Sequence, residues 1–145
     1  MIQGMTLMTF ATAGGAPAAV STEYTPGVCN IGPREIRRRR RTGHVGLAAT
    51  LGLLVILVAI GAPPIARLLI AFPAAVSASG YLQARLKFCA GFASLGIYNF
   101  GESGDSVAVV DEAARTADRR RGLQISLASF AIGSAVGLAA VLLPF

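Results

Sequence analysis

Residues 37–62 read RRRRRTGHVGLAATLGLLVILVAIGA, and this stretch decides the class of fold. Its arginines run almost directly into residues 45–62, which contain no charged side chain. An uncharged apolar run of this length is close to the minimum for a helix that crosses the hydrocarbon core of a bilayer. The stretch therefore predicts a transmembrane helix with a strongly basic end.

The composition of the chain favours the same class of protein. Of the 145 residues, 54% are hydrophobic and 14% are charged, whereas soluble domains contain about 25% charged residues. A soluble chain of this size could not bury so much apolar surface. Two further apolar runs, at about 65–82 and 123–144, predict a second and a third span.

Prolines are expected to mark the helix boundaries. Pro33 suits the first turn of a helix that leads into span one, and Glu35 can pair there with Arg38 or Arg39. The Pro63-Pro64 pair should end the first span and open the second, which Pro73 should kink near its middle. Span two is thus predicted to follow span one through a tight hairpin.

The remaining segments are predicted to lie outside the bilayer. Residues 1–32 contain glycines and prolines that interrupt every candidate helix, so we expect a flexible or extended N-terminal tail. Residues 83–122 combine a short apolar part with a charged part, which predicts an interfacial or cytoplasmic amphipathic section. The predicted fold class is all-α, an integral membrane protein with three transmembrane helices.

The distribution of positive charge predicts the orientation. Every lysine and arginine except Arg67 lies before span one or between spans two and three. Cytoplasmic loops carry the excess of positive charge, so the N-terminus is predicted inside and the C-terminus outside a bacterial inner membrane. Arg67, near the start of span two, is expected to extend its side chain to the headgroups.

The arginine clusters are predicted to anchor the spans rather than to bind nucleic acid, because the first cluster adjoins a membrane helix. They would attract anionic lipids at the cytoplasmic ends of spans one and three. The predicted anchors are Arg37, Arg38, Arg39, Arg40, Arg41, Arg119, Arg120 and Arg121.

Small residues recur every four positions in two of the spans. Such stripes let helix backbones approach closely within a membrane. We expect them to contribute to contacts with other chains, the alternative being packing among the three spans. The residues are Ala71, Ala75 and Ser79 in span two, and Ser129, Gly133 and Gly137 in span three, with Ala131, Ala135 and Ala139 on an adjacent stripe.

Few side chains point to chemistry. No carboxylate lies in the same span as any of the serines of the spans, and the chain contains only one histidine. This composition disfavours nucleophilic catalysis. We therefore expect no enzyme activity and no catalytic residue. Cys29, His44 and Cys89 could contribute to a metal or redox site on the cytoplasmic side, but they come from distant segments. A bound lipid is expected and no cofactor is predicted, while a pigment or heme is left open.

The sequence thus favours a non-catalytic accessory subunit that packs against other integral membrane proteins in a larger bacterial assembly, for example a respiratory or photosynthetic one. A homo-oligomeric channel or small transporter is the first alternative. A metal or redox site built from Cys29, His44 and Cys89 is the second.

Overall fold

The computed structural model describes residues 24–101 and 105–144, and the chain is mostly helical. In chain order the elements are helix α1 (Pro33–Ala59), a 3-10 helix (Pro64–Ile70), α2 (Ala71–Leu86), α3 (Ala90–Leu95), strands β1 (Ile97–Tyr98) and β2 (Val107–Ala108), and α4 (Glu112–Leu142). The two short strands pair antiparallel.

Three helical segments are long and apolar enough to cross a membrane: Pro33–Ala59, Pro64–Leu86 and Glu112–Leu142. The predicted all-α fold is thus confirmed as a mostly helical chain with three candidate spans, whereas the two short strands were not predicted. The third segment differs from the prediction, because its helix begins at Glu112, within the predicted interfacial section, and not near residue 123. The charged residues 112–122 continue without a break into the apolar run, and the Asp111 side chain begins this helix by accepting a hydrogen bond from the Ala114 N–H at 2.9 Å.

Helix α1 begins at Pro33, as predicted, and ends three residues earlier than the predicted span. Gly61 adopts a positive φ of 64°, a conformation that costs glycine little. The Ala62 N–H then binds the Leu57 carbonyl at 2.9 Å, and the Gly61 N–H binds the Val58 carbonyl at 3.0 Å. These two bonds are those of a Schellman motif, which satisfies the last carbonyls of the helix.

The second candidate span changes helix type along its length. It opens at Pro64 as a tightly wound 3-10 helix and becomes α-helical at Ala71. Pro73 lies in the first turn of α2, where the missing N–H costs no intrahelical hydrogen bond. The irregularity expected at Pro73 is therefore found just before it, at the junction of the two helix types.

Arg67 does not extend towards the surface as expected. It is 4% exposed, and its Nη1 atom donates hydrogen bonds to the carbonyls of Leu143 at 2.8 Å and Ala140 at 3.3 Å. The last carbonyls of a helix have no partner within the helix and carry partial negative charge. Arg67 satisfies them and thereby joins the 3-10 helix to the end of α4.

The three long helices form a layer with α2 in the middle. Helix α2 packs on both α1 and α4, whereas no comparable contact joins α1 to α4 in the described part of the chain. One end of the layer, here called the basic end, holds the start of α1, the end of α2 and the start of α4. The opposite end, called the hairpin end, contains the link from α1 to the 3-10 helix.

Helices α1 and α2 cross at glycines. A Cβ atom on Gly46 would lie 2.6 Å from the backbone nitrogen of Ser77, and one on Gly80 would collide with the backbone of Gly43. The Ser77 hydroxyl donates to the Gly43 carbonyl at 2.9 Å across this interface. The absence of side chains at these positions allows the two backbones to touch.

Helices α2 and α4 meet through the small residues identified in the sequence. A Cβ atom on Gly133 would lie 2.5 Å from the Ala71 carbonyl oxygen and 2.6 Å from the Ala75 Cβ. One on Gly137 would lie 2.8 Å from the Ala71 Cβ. These residues pack against each other inside one chain, which is the alternative that the sequence analysis named.

Candidate functional site at the basic end

Part of the predicted N-terminal tail is built into the basic end. Asn30 is fully buried, and its side-chain amide forms two hydrogen bonds with the backbone of Cys89: Oδ1 accepts from the N–H at 2.6 Å, and Nδ2 donates to the carbonyl at 3.1 Å. The Gly32 N–H donates to the Asn99 carbonyl at 2.7 Å. Residues 24–32 thus pack on the segment after α2, while residues 1–23 of the predicted tail lie outside the described residues.

The Cys89 thiol lies at the centre of this region and is 0% exposed. Its sulfur accepts a hydrogen bond from Arg39 Nη2 at 2.9 Å and another from the Phe92 N–H at 3.4 Å, which begins α3. The cysteine therefore joins α1 to α3 as a hydrogen-bond acceptor. Complete burial shields the thiol from oxidants and metal ions in solution.

Glu35 is the carboxylate that accompanies the arginine run. It is buried, and its oxygens lie 3.7 Å from Arg38 Nη1 and 3.8 Å from Arg39 Nη2. These are the two partners expected from helical spacing. Arg39 thus lies between a carboxylate and a thiol, and its role is structural as well as electrostatic.

Asp118 connects α4 to the N-terminal segment. It is 0% exposed and accepts hydrogen bonds from the Tyr24 hydroxyl at 2.9 Å and the Gly27 N–H at 2.7 Å. Burial, together with the hydrogen bond to the Asp118 carboxylate and its charge, raises the pKa of Tyr24 above its usual value. Tyr24 therefore remains protonated as a donor, and its ring stacks on Tyr98 with centroids 4.6 Å apart.

All eight predicted anchor arginines lie at the basic end, but they face different surroundings. Arg39 and Arg121 are partly buried, and Arg121 is 3.5 Å from the Gln124 side-chain oxygen. The other six are exposed: Arg37, Arg38, Arg40, Arg41, Arg119 and Arg120. Five arginines in succession cannot share one helix face: Arg38 and Arg41 line a groove between α1 and α2, whereas Arg37 and Arg40 do not line it.

The three residues proposed for a metal or redox site are not assembled. Cys29 donates to the nearby Ile31 carbonyl, Cys89 binds Arg39, and His44 Nδ1 is hydrogen-bonded to the Tyr81 hydroxyl at 2.7 Å. Among residues 24–101 and 105–144, no group of three or more His, Cys, Asp or Glu side chains is placed to hold a metal ion.

A groove runs along one face of the helix layer, and we call it the trough. Two open cavities of about 350 and 420 Å³ form it and share Thr42, Phe72 and Val76. Helix α1 contributes a stripe at helical spacing: Arg38, Arg41, Thr42, Val45, Gly46 and Ala49. Ser126, Ser129 and Phe130 of α4 form the opposite wall, and α2 forms the floor.

The hydroxyl and amide side chains in the trough already have hydrogen-bond partners. The hydroxyls of Thr42, Ser126 and Ser129 donate to carbonyls of their own helices at 3.2, 3.0 and 2.7 Å. Gln83 donates to Ser79 at 2.6 Å and accepts from the Ala90 N–H at 3.2 Å. An apolar molecule could therefore lie in the trough without leaving these groups unpaired.

A second surface of α4 remains uncovered in the chain. Ala131, Ala135 and Ala139 are exposed, in contrast to the buried Gly133 and Gly137. Ala135 is five residues from Phe130, or about 140° around the helix, so it lies on the flank away from the trough. Small residues thus form both an internal and an external surface of α4.

Sequence reasoning missed Asn30, Asp118 and the α1–α2 crossing. The spacing of Gly43, Gly46 and Thr50 gives a small-residue helix face that could have indicated the crossing. No sequence signal distinguishes Asp118 from the other acids, because its importance depends on a residue 94 positions away.

Comparisons with known protein families, curated proteins and solved structures found no match to this chain.

Proposed function

We propose that this chain is a non-catalytic subunit of a larger membrane protein assembly in a bacterial inner membrane. It would cross the bilayer three times, with the basic end and the N-terminus in the cytoplasm and the C-terminus outside. The observation that carries the subunit role is the exposed alanine stripe of Ala131, Ala135 and Ala139 on α4.

The stripe favours a protein neighbour over lipid. Lipid tails pack against large apolar side chains as readily as against small ones, whereas close approach of two helix backbones requires small residues. The stripe that packs within the chain, Gly133 and Gly137, is already occupied by α2. The alanines are thus available for a helix from another chain.

The non-catalytic character is supported by the state of the polar groups. Ser126 and Ser129 donate to carbonyls of their own helix, which is a structural use of a hydroxyl. The most buried polar side chains, Asn30 and Asp118, hold the N-terminal segment in place. These polar groups are therefore used to stabilise the fold.

The orientation rests on the charges. Every arginine and lysine except Arg67 lies in the basic end or in the segments that connect there, and Arg67 is buried in contact with α4 carbonyls. The hairpin end therefore presents almost no positive charge to its side of the membrane. The positive-inside rule then favours a cytoplasmic basic end.

A site-specific crosslink tests the subunit role. A photoreactive residue at position 135 of the full chain, expressed in its native membrane, should crosslink to one distinct membrane protein. The same residue at position 51, an exposed leucine of α1 that does not line the trough, should crosslink mainly to lipid. Crosslinks from position 135 only to a second copy of this chain would instead favour a homo-oligomeric channel, and lipid adducts at both positions would contradict a protein neighbour.

A further inference from the structure

We propose that the trough binds an acidic phospholipid, with its phosphate at Arg38 and Arg41 and an acyl chain along the groove towards Phe72. This inference goes beyond the subunit role and does not depend on it. The trough lies on a different flank of α4 from the alanine stripe, so the two surfaces can be occupied independently.

The length of the trough fits one leaflet of a bilayer. Arg38 and Ala49, the two ends of its α1 stripe, are eleven residues apart, which corresponds to about 16 Å along a helix. Half of a hydrocarbon core about 30 Å thick is about 15 Å. A membrane-spanning helix would need a groove about twice as long, so an acyl chain fits this surface better than a partner helix does.

The polarity of the trough also changes in the direction that a phospholipid requires. Arginines lie at one end, and beyond Thr42 the α1 stripe continues with Val45, Gly46 and Ala49. The hydroxyls along the walls are hydrogen-bonded within their own helices, so a bound molecule does not have to supply a polar partner for them. A molecule with an anionic head and an apolar tail matches this gradient.

The charge at the head of the trough is not neutralised by the protein. Arg38 shares Glu35 with Arg39, and among the described residues no carboxylate forms an ion pair with Arg41. Two guanidinium groups with one shared carboxylate leave an excess of positive charge. Guanidinium groups bind phosphate oxygens in bidentate fashion, which favours an acidic lipid over a zwitterionic one.

Fluorescence quenching can detect this lipid because the chain contains no tryptophan. Phe72 lines both cavities and is 78% exposed, so Phe72→Trp places a single reporter at the apolar end of the trough. The variant is reconstituted in phosphatidylcholine vesicles with a small, equal fraction of brominated phosphatidylglycerol or brominated phosphatidylcholine. We expect brominated phosphatidylglycerol to quench at a roughly thirtyfold lower fraction, as two cations near an anionic headgroup would produce.

Matched charge variants separate a site from general attraction to the surface. In the Phe72→Trp background, Arg38→Gln with Arg41→Gln should abolish the preference for the acidic lipid. Arg37→Gln with Arg40→Gln removes the same charge from exposed positions outside the trough, and this variant should retain the preference for the acidic lipid. Equal quenching by the two brominated lipids, or equal loss in both double variants, would overturn the proposal.

Steric variants test the acyl chain separately from the headgroup. Ala49→Phe narrows the trough, whereas Ala48→Phe adds the same ring to an exposed position that does not line it. The preference should disappear with Ala49→Phe and persist with Ala48→Phe. A preference that survives Ala49→Phe would show that no acyl chain lies there, and a monodisperse elution profile for each variant confirms that it remains folded.

Discussion

Arg67 shows how the chain accommodates a charge within an apolar segment. Its guanidinium group is buried against two carbonyl oxygens at the end of α4, at 2.8 and 3.3 Å. A buried charge is tolerated only where hydrogen bonds and opposite charge replace water. The partial negative charge at a helix C-terminus provides both. Arg67 therefore connects the beginning of the second candidate span to the end of the third.

Arg67→Met is predicted to destabilise the protein by about 2 kcal/mol, because the substitution keeps the side-chain length but removes charged hydrogen bonds to buried carbonyls. The midpoint of unfolding in mild detergent measures the effect. Arg40→Met at an exposed position removes the same charge and should leave this midpoint unchanged. Equal midpoints for the two variants would show that the contacts of Arg67 contribute nothing.

The packing of the long helices depends on positions without side chains. Gly46 and Gly80 bring α1 against α2, and Gly133 and Gly137 bring α4 against the other side of α2. Close backbone approach gives van der Waals contact where lipid provides no hydrophobic drive for helix association. Helix α2 is consequently held on two sides by its neighbours.

Gly133→Ala should disturb the α2–α4 contact, since the new methyl group would lie 2.5 Å from the Ala71 carbonyl oxygen. Gly52→Ala in α1 is the matched control, because a Cβ there has nothing within 4 Å. Both substitutions gain the same helix propensity, so the difference between them measures the steric effect. We expect the free energy of unfolding of Gly133→Ala to be about 2 kcal/mol lower than that of Gly52→Ala in the same detergent titration. A Gly133→Ala variant as stable as Gly52→Ala would rule out the tight crossing.

Helix positions and small-residue faces could be predicted from the sequence, but the partners of those faces could not. Pro33 marks the start of α1 because its own chemistry favours the first turn. The spacing of Gly133 and Gly137 identifies a packing face, yet periodicity within one helix does not state which other helix covers it. The same limit applies to Arg67. Its position near the end of a span predicts contact with the lipid headgroups, because the sequence does not show that the end of α4 lies beside it.

At the scale of the whole molecule, an open layer of helices is joined to a polar region at the basic end. Residues 24–32 close that region through Asn30 and through the hydrogen bonds of Tyr24 and Gly27 with Asp118. The apolar flanks of the helices remain open. Both the proposed lipid site and the proposed partner surface use these open flanks, and both assume that the long helices lie within a membrane.

A pair of topology reporters tests the central claim, the threefold crossing with a cytoplasmic basic end. Alkaline phosphatase, which is active only outside the cytoplasm, should be active when fused after Phe145 and inactive when inserted after Ser103, between β1 and β2. A fluorescent protein that folds only in the cytoplasm should give the reverse pattern at the same two positions. Fluorescence after Phe145, or phosphatase activity after Ser103, would contradict the account.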